Sequence, residues 1–236
     1  MTPAPGQDTS GRASTEDHPF KVENWPSLLG AEREARWSPP RLLARLDLRA
    51  GQRVLDLGCG PGFWTLPLAR IVGPNGTVWA LDVADEMLRA LASRHPPAQV
   101  RLLQSRLPRV DLPAASVDWV WAAFILHEVG DLEALAAELR RVLRAGGRVA
   151  ALEWRPDGAG ADGPPRNHRL WPEQIVGVFR RVGLHHAHHA WQDADSYLIE
   201  LAPGCTFDPS PADCASADTS ADAEEPVSSA VEGSAR

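Results

Sequence analysis

The sequence predicts an α/β fold: a mostly parallel, doubly wound sheet with helices on both faces. Three observations predict it. Short apolar runs alternate with segments of helical period from Val54 to Leu201, the order that strand–helix–strand units impose. The first run, Val54–Leu57, opens into a glycine-rich turn, Gly58-Cys59-Gly60-Pro61-Gly62, and a helical segment follows. The second run, Val78–Leu81, closes on Asp82. Such a layout suits a nucleotide or nucleoside site. The turn lets backbone N–H groups approach a polar ligand, and the acid is placed for ribose hydroxyls.

Each element has its own signal. Ser38 caps a helix with Pro39 at its first position, running to about Leu46. Strand one is Val54–Leu57, and the helix over Phe63–Val72 stops at Gly73. Strand two, Val78–Leu81, precedes an amphipathic helix over Asp85–Arg94 that His95-Pro96-Pro97 ends. Strand three is Val100–Leu103. Strand four, Val117–Ala123, is apolar apart from Asp118 and reads as buried on both faces. Asp131 caps a helix through Leu143, which Gly146-Gly147 ends before strand five, Arg148–Leu152. A helix over Pro172–Val182, stopped by Gly183, leads to two strands around Leu184–Trp191 and Tyr197–Leu201. Their short connection makes them an antiparallel hairpin.

Composition bounds the function. A length of 236 residues suits one domain of this class. That domain is expected over 19–208, with cap helices in 19–50. Residues 1–18 and the Ala/Ser/Asp/Glu-rich residues 209–236 are expected to be disordered tails. The net charge of −7 argues against general affinity for nucleic-acid backbones. No apolar stretch reaches membrane-spanning length, and Met1–Asp17 lacks the apolar core of a signal peptide. A cytoplasmic location is expected. Cys59, Cys205 and Cys214 have no metal spacing. On a regular strand His185 and His189 would share one face, and His186 and His188 the other. Four such imidazoles do not converge, and no metal site is expected.

The glycine spacing narrows the ligand. A dinucleotide fingerprint needs G-x-G-x-x-G/A, and the third position here is the bulky Phe63. A P-loop needs a lysine that these glycines lack. The string Asp56-Leu57-Gly58-Cys59-Gly60-Pro61-Gly62 resembles the first signature of class I S-adenosylmethionine (SAM) methyltransferases. The resemblance extends over roughly residues 38–202. It includes Leu81-Asp82-Val83 with Met87, Asp111-Leu112-Pro113 before Ser116–Val120, and Leu139–Gly147 before strand five. Leu126-His127-Glu128-Val129 is similar to the segment after strand four in quinone-biosynthesis-type, small-molecule members.

That resemblance implies a Rossmann-like sheet of seven strands in the order 3-2-1-4-5-7-6, with strand seven antiparallel. It implies SAM as cofactor and a small-molecule acceptor. Gly58, Gly60 and Gly62 would face the methionine moiety, and Asp56 would orient the loop or reach the amino group through water. Asp82 would take the ribose hydroxyls, Val83 and Met87 would sandwich adenine, and Ala122, Ala123 and Phe124 would flank the cofactor. The chain departs from the family pattern at Ala145, where proline is usual, and at Gln104-Ser105-Arg106, where many relatives carry an acid for the adenine amino group. Gln104, Ser105 or a backbone carbonyl then serves, or packing alone holds the base.

An activated methyl group asks the protein mainly for orientation. His127 is the candidate general base where an acceptor must lose a proton. Glu128 is expected to point away; Glu153 is expected to cap or to be solvated, or else to enter the acceptor pocket. Trp25, Trp37 and Trp64 are core or pocket walls. Two other functions share the pattern: an NAD(P)-dependent oxidoreductase, against which Phe63 counts, and a non-catalytic SAM-binding protein. Deleting residues 209–236 is expected to leave the melting temperature and ligand binding unchanged, because their composition buries too little apolar surface to offset ordering entropy. Calorimetric melting of the truncated chain checks this.

Overall fold

The structure, a computed structural model, describes residues 22–204 apart from 159, 161 and 162. The expected tails, Cys205 and Cys214 lie outside the described residues. A 3₁₀ helix, Val22–Leu29, is followed by α1 (Ala31–Arg36) and α2 (Pro39–Leu43). Five strands and three helices then alternate as β1 (Arg53–Leu57), α3 (Thr65–Val72), β2 (Thr77–Asp82), α4 (Asp85–Ser93), β3 (Val100–Gln104), β4 (Val117–Ala123), α5 (Leu132–Val142) and β5 (Leu143–Trp154). Helix α6 (Pro172–Arg180) and the hairpin β6 (Leu184–Gln192) and β7 (Ser196–Pro203) complete the fold.

One sheet contains all seven strands in the order β3-β2-β1-β4-β5-β7-β6. Strands β1 to β5 pair in parallel, and β7 runs antiparallel to both β5 and β6. This is the Rossmann-like α/β architecture. Strand alternation sorts the core onto the two faces. Leu55, Leu57, Val120 and Ala122 join Leu135, Leu139, Ile175 and Phe179 from α5 and α6. Val54, Trp119 and Trp121 join Leu68, Ala69 and Val72 from α3 and Leu42 and Leu43 from α2. Strand order reverses between β1 and β4, and ligands bind outside the carboxyl ends at such a point.

Element ends moved where backbone chemistry overrode periodicity. Helix α3 begins at Thr65 rather than Phe63, because Gly62 is left-handed at φ +86° and Phe63 and Trp64 are spent on the turn. Helix α2 ends at Leu43, and the Ser38 side chain makes no capping hydrogen bond. Asp131 does cap α5, accepting from the Ala134 N–H at 2.8 Å. Strand β5 starts at Leu143, ahead of the glycine pair, with an irregularity opposite Val117–Trp119. The β6 histidines depart from strict alternation. Register shifts after His186 and after His189 place His186 opposite Leu201 and His189 opposite Ile199, so those two rings meet at 4.9 Å on one face. The face-sharing expected for His185 with His189 is therefore incorrect: two bulges reset the count.

No helix among the described residues is long and apolar enough to cross a membrane. The cap packs on the core through Leu42 and Leu43, both essentially inaccessible. Leu43→Ala is expected to destabilise the chain by about 2–5 kcal/mol, the usual cost of such a cavity. Denaturant unfolding measures it.

Candidate functional site

The site forms where β1, β2, β4 and β5 end. After β1 the chain turns through Gly58, Gly60 and Gly62, at φ of +68°, +52° and +86°. A side chain at these positions would be strained, and at two of them it would also collide. A Cβ on Gly58 would lie 2.8 Å from Ile125, and one on Gly62 would lie 2.4 Å from Leu91. The glycines thus let the loop touch both the segment after β4 and helix α4. Beneath the loop, Asp56 is buried and accepts a 2.6 Å hydrogen bond from the Thr65 hydroxyl. Burial pushes its carboxyl up to about 7. Asp56 thus ties β1 to the start of α3, the loop-orienting arrangement.

Asp82 ends β2 beside this loop. Its carboxylate accepts the Gly60 N–H and the Ala84 N–H, each at 2.9 Å. Burial raises its pKa, and these backbone bonds oppose the rise. Val83 is 47% exposed, whereas Met87 is buried. A large apolar side chain left open next to a fixed carboxylate suits a nucleoside, with base on one and ribose on the other. Gln104 is exposed, and its amide Nε2 donates to the Val83 carbonyl at 3.3 Å. Ser105 is buried, and its hydroxyl lies 3.0 Å from the Arg109 carbonyl. These residues fit a SAM-like cofactor: carboxylate for ribose, open apolar surface for the base, and a glycine-rich loop for the remainder.

The segment after β4 carries Phe124 and His127. Phe124 has a left-handed backbone at φ +57°, and its N–H donates to the Leu152 carbonyl at 2.7 Å. For a bulky residue this conformation costs roughly 1–3 kcal/mol and clusters at functional sites. Its ring packs against Trp37 at 4.7 Å and Trp154 at 4.8 Å. Ala123 lies beside it, partly exposed. Leu126–Glu128 form one 3₁₀ turn. Glu153, fully buried at the end of β5, reaches back to it. One carboxylate oxygen accepts the Leu126 N–H and the other meets His127 Nδ1, each at 2.7 Å. Glu153 therefore caps, as expected, and also holds the histidine, a pairing sequence reasoning missed. The adjacency of β4 and β5 was the signal that could have found it.

A neutral imidazole that donates Nδ1–H to Glu153 keeps its basic lone pair on Nε2. It lies 3.9 Å from Glu128 Oε1, so Glu128 stays beside the ring. Burial lowers the imidazole's pKa, but the Glu153 charge and hydrogen bond, with Glu128, outweigh it, and the net shift is upward from 6.5. Trp37 stands in the aromatic cluster, Trp64 packs on Trp121 at 4.7 Å, and Trp25 is only partly buried. Among the described residues no group of three or more His, Cys, Asp or Glu is placed to hold a metal ion.

Comparison with known proteins now adds to this geometry. A family model described as a methyltransferase domain matches residues 54–147. The demethylmenaquinone methyltransferase of Geobacillus sp. (strain WCH70) is 31% identical over 130 residues, covering 54% of this chain and 55% of that protein. The one from Bacillus cytotoxicus is 32% identical over 137 residues, covering 56% and 57%. The chain therefore spans about half the length of the curated relatives it matches. Among solved structures, a SAM-dependent methyltransferase from Aquifex aeolicus superposes with a TM-score of 0.73 at 24% identity, covering 79% of this chain and all of that one. The [4+2]-cyclase SpnF superposes with a TM-score of 0.61 at 19% identity, covering 72% and 81%. These two likenesses establish the fold.

The raised His127 pKa has a consequence for stability. A group whose folded pKa exceeds its unfolded value stabilises the fold fully below the unfolded value, here 6.5, and ceases to as pH rises through the folded value. Glu153→Gln is expected to remove this fall in stability above pH 6.5 and to lower the imidazole pKa. Melting curves against pH, with NMR titration of His127, provide the check.

Proposed function

We propose that this chain, whose residues 54–147 match a methyltransferase-domain model, is a class I SAM-dependent methyltransferase that transfers a methyl group from SAM to a small-molecule acceptor. The observation that carries this reading is the junction of the glycine loop with Asp82, where the Gly60 N–H and the carboxylate meet at 2.9 Å beside the exposed Val83. Asp82 would hold the ribose hydroxyls. Val83 and Met87 would hold adenine, with Gln104 and Ser105 at its edge. Gly58, Gly60 and Gly62 would admit the methionine portion, over Asp56, and Ala123 and Phe124 would flank it.

When bound, SAM supplies a methyl group already activated on a sulfonium. The protein then has two tasks. One is to hold the acceptor in line, with the aromatic cluster of Trp37, Phe124 and Trp154 as a wall. Orientation of this kind is worth on the order of 7–11 kcal/mol. The other, where the acceptor must lose a proton, is to remove it. His127 Nε2 would take it, while Glu153 fixes the ring and stabilises the imidazolium that forms. The demethylmenaquinone methyltransferases act on a small molecule by name, which supports the same acceptor class here. Phe63, buried against Trp64, fills the place that a dinucleotide turn keeps small, which disfavours an NAD(P)-dependent oxidoreductase.

S-adenosylhomocysteine is expected to raise the melting temperature, and NAD is not. Asp82→Ala should weaken S-adenosylhomocysteine by about 1.5–3 kcal/mol in calorimetry. A shift with NAD alone would sink the reading.

His127→Ala should lower kcat by about 10²–10⁴-fold with cofactor affinity intact. The base works only when neutral, so the acid limb of the rate profile should lie above pH 6.5 and vanish in the variant. Wild-type turnover in His127→Ala would leave positioning as the whole mechanism.

A further inference from the structure

Arg33, on α1, is a cation with rings around it and, among the described residues, no hydrogen-bond or ion-pair partner. Its guanidinium carbon sits 5.1 Å from the Trp37 ring, 5.1 Å from Phe63 and 5.4 Å from Phe124. Its Nε is enclosed and makes no hydrogen bond. Among the described residues no carboxylate or carbonyl meets the side chain, and burial alone pulls its pKa down to about 10. Arg36, one turn on, is treated differently. It pairs with Asp195 at 2.7 Å and Asp193 at 3.5 Å, and with Trp37 Nε1 on Ser196 Oγ at 3.0 Å it anchors the cap to the β6–β7 turn. Arg33 thus lies on an anchored cap against Phe124, the residue that follows β4.

Burying a cation without a counter-ion is costly, and cation–π contact offsets it only in part. We infer that Arg33 is the specificity residue for an acceptor that is both flat and anionic, an aromatic ring bearing a carboxylate or ionised hydroxyl. Four acceptor classes separate on what each leaves unsatisfied. A neutral arene would replace the guanidinium over the rings and leave the charge without a partner. An aliphatic anion would pair with Arg33 but draw it off the rings, leaving Trp37, Phe63 and Phe124 uncovered. A cation would compete with Arg33 for the same ring faces. A planar anion covers the rings with its body and gives the guanidinium fork an oxyanion. The inference rests on the proposed function for the identity of the cleft, and adds the class of acceptor.

Calorimetry on the full chain tests it with four probes: 2-naphthoate, 2-naphthamide, 2-naphthylmethylammonium and cyclohexanecarboxylate, each with and without S-adenosylhomocysteine. Naphthoate is expected to bind at least about tenfold tighter than the other three. Arg33→Met should abolish that preference, Arg33→Lys should retain part of it, and neither should alter S-adenosylhomocysteine affinity by more than about twofold. Tightest binding of the ammonium probe would overturn the inference and make the rings a cation cage that Arg33 fills. Loss of S-adenosylhomocysteine affinity in Arg33→Met, with the naphthoate preference intact, would overturn it in favour of the cofactor's own carboxylate. If Arg33→Met fails to fold, the ranking on the wild-type chain and on Arg33→Lys still decides. Failure of S-adenosylhomocysteine to bind at all would count against the proposed cofactor, and the probe ranking in its absence reads Arg33 separately.

Discussion

The contact of Ile125 with the backbone of Gly58 is the constraint on which the site depends. A single added methyl there would come within 2.8 Å of Ile125. Because none is present, the loop after β1 and the segment after β4 close on each other at the point where strand order reverses. Everything functional is registered from that contact. Gly60 is brought to Asp82 on one side. On the other, Phe124 is held in a left-handed turn and Leu126 and His127 are delivered to Glu153. The glycines therefore position Asp82, Phe124 and His127 as well as shaping the loop.

Much of this was legible in the sequence, and for physical reasons. A parallel sheet buries its strands on both faces, so Val54–Leu57 and Val117–Ala123 stand out as apolar runs, and left-handed turns demand glycine. Family resemblance supplied the strand order, which periodicity alone does not encode. What stayed hidden depends on three dimensions. Glu153 is separated from His127 by 26 positions and meets it only because β5 lies beside β4. Arg33 sits in a short helix whose sequence, Ala31–Arg36, carries three charged side chains besides its own and reads as solvent-facing. The β6 histidines failed for a different reason. Alternation assumes an unbroken pleat, and two bulges in nine residues break it.

The sheet does not choose the reaction. The [4+2]-cyclase SpnF superposes on this chain with a TM-score of 0.61, so the same sheet carries a reaction of another name. Fold and chemistry are separable, and function has to be argued from the groups that reach the cleft. Here those groups divide by charge. Toward β2 the cleft presents the carboxylate of Asp82, suited to neutral hydroxyls. Toward β4 and the cap it presents Arg33, aromatic rings and an imidazole whose proton affinity is raised.

That asymmetry links acceptor and base. A cationic acceptor would be repelled by Arg33 and a neutral one would gain only a hydrogen bond, whereas an oxyanion stabilised by it is also the more nucleophilic form of a hydroxyl. The same guanidinium would lower the acidity threshold of a hydroxyl bound beside it, so less of the deprotonation falls to His127. On the proposed reading the two residues would act on one equilibrium: Arg33 would stabilise the product of proton loss and His127 Nε2 would receive the proton, with Glu153 compensating its charge. In this arrangement the aromatic cap does more than exclude water. By keeping Arg33 desolvated, it strengthens the one electrostatic interaction that distinguishes an ionised acceptor from its neutral form.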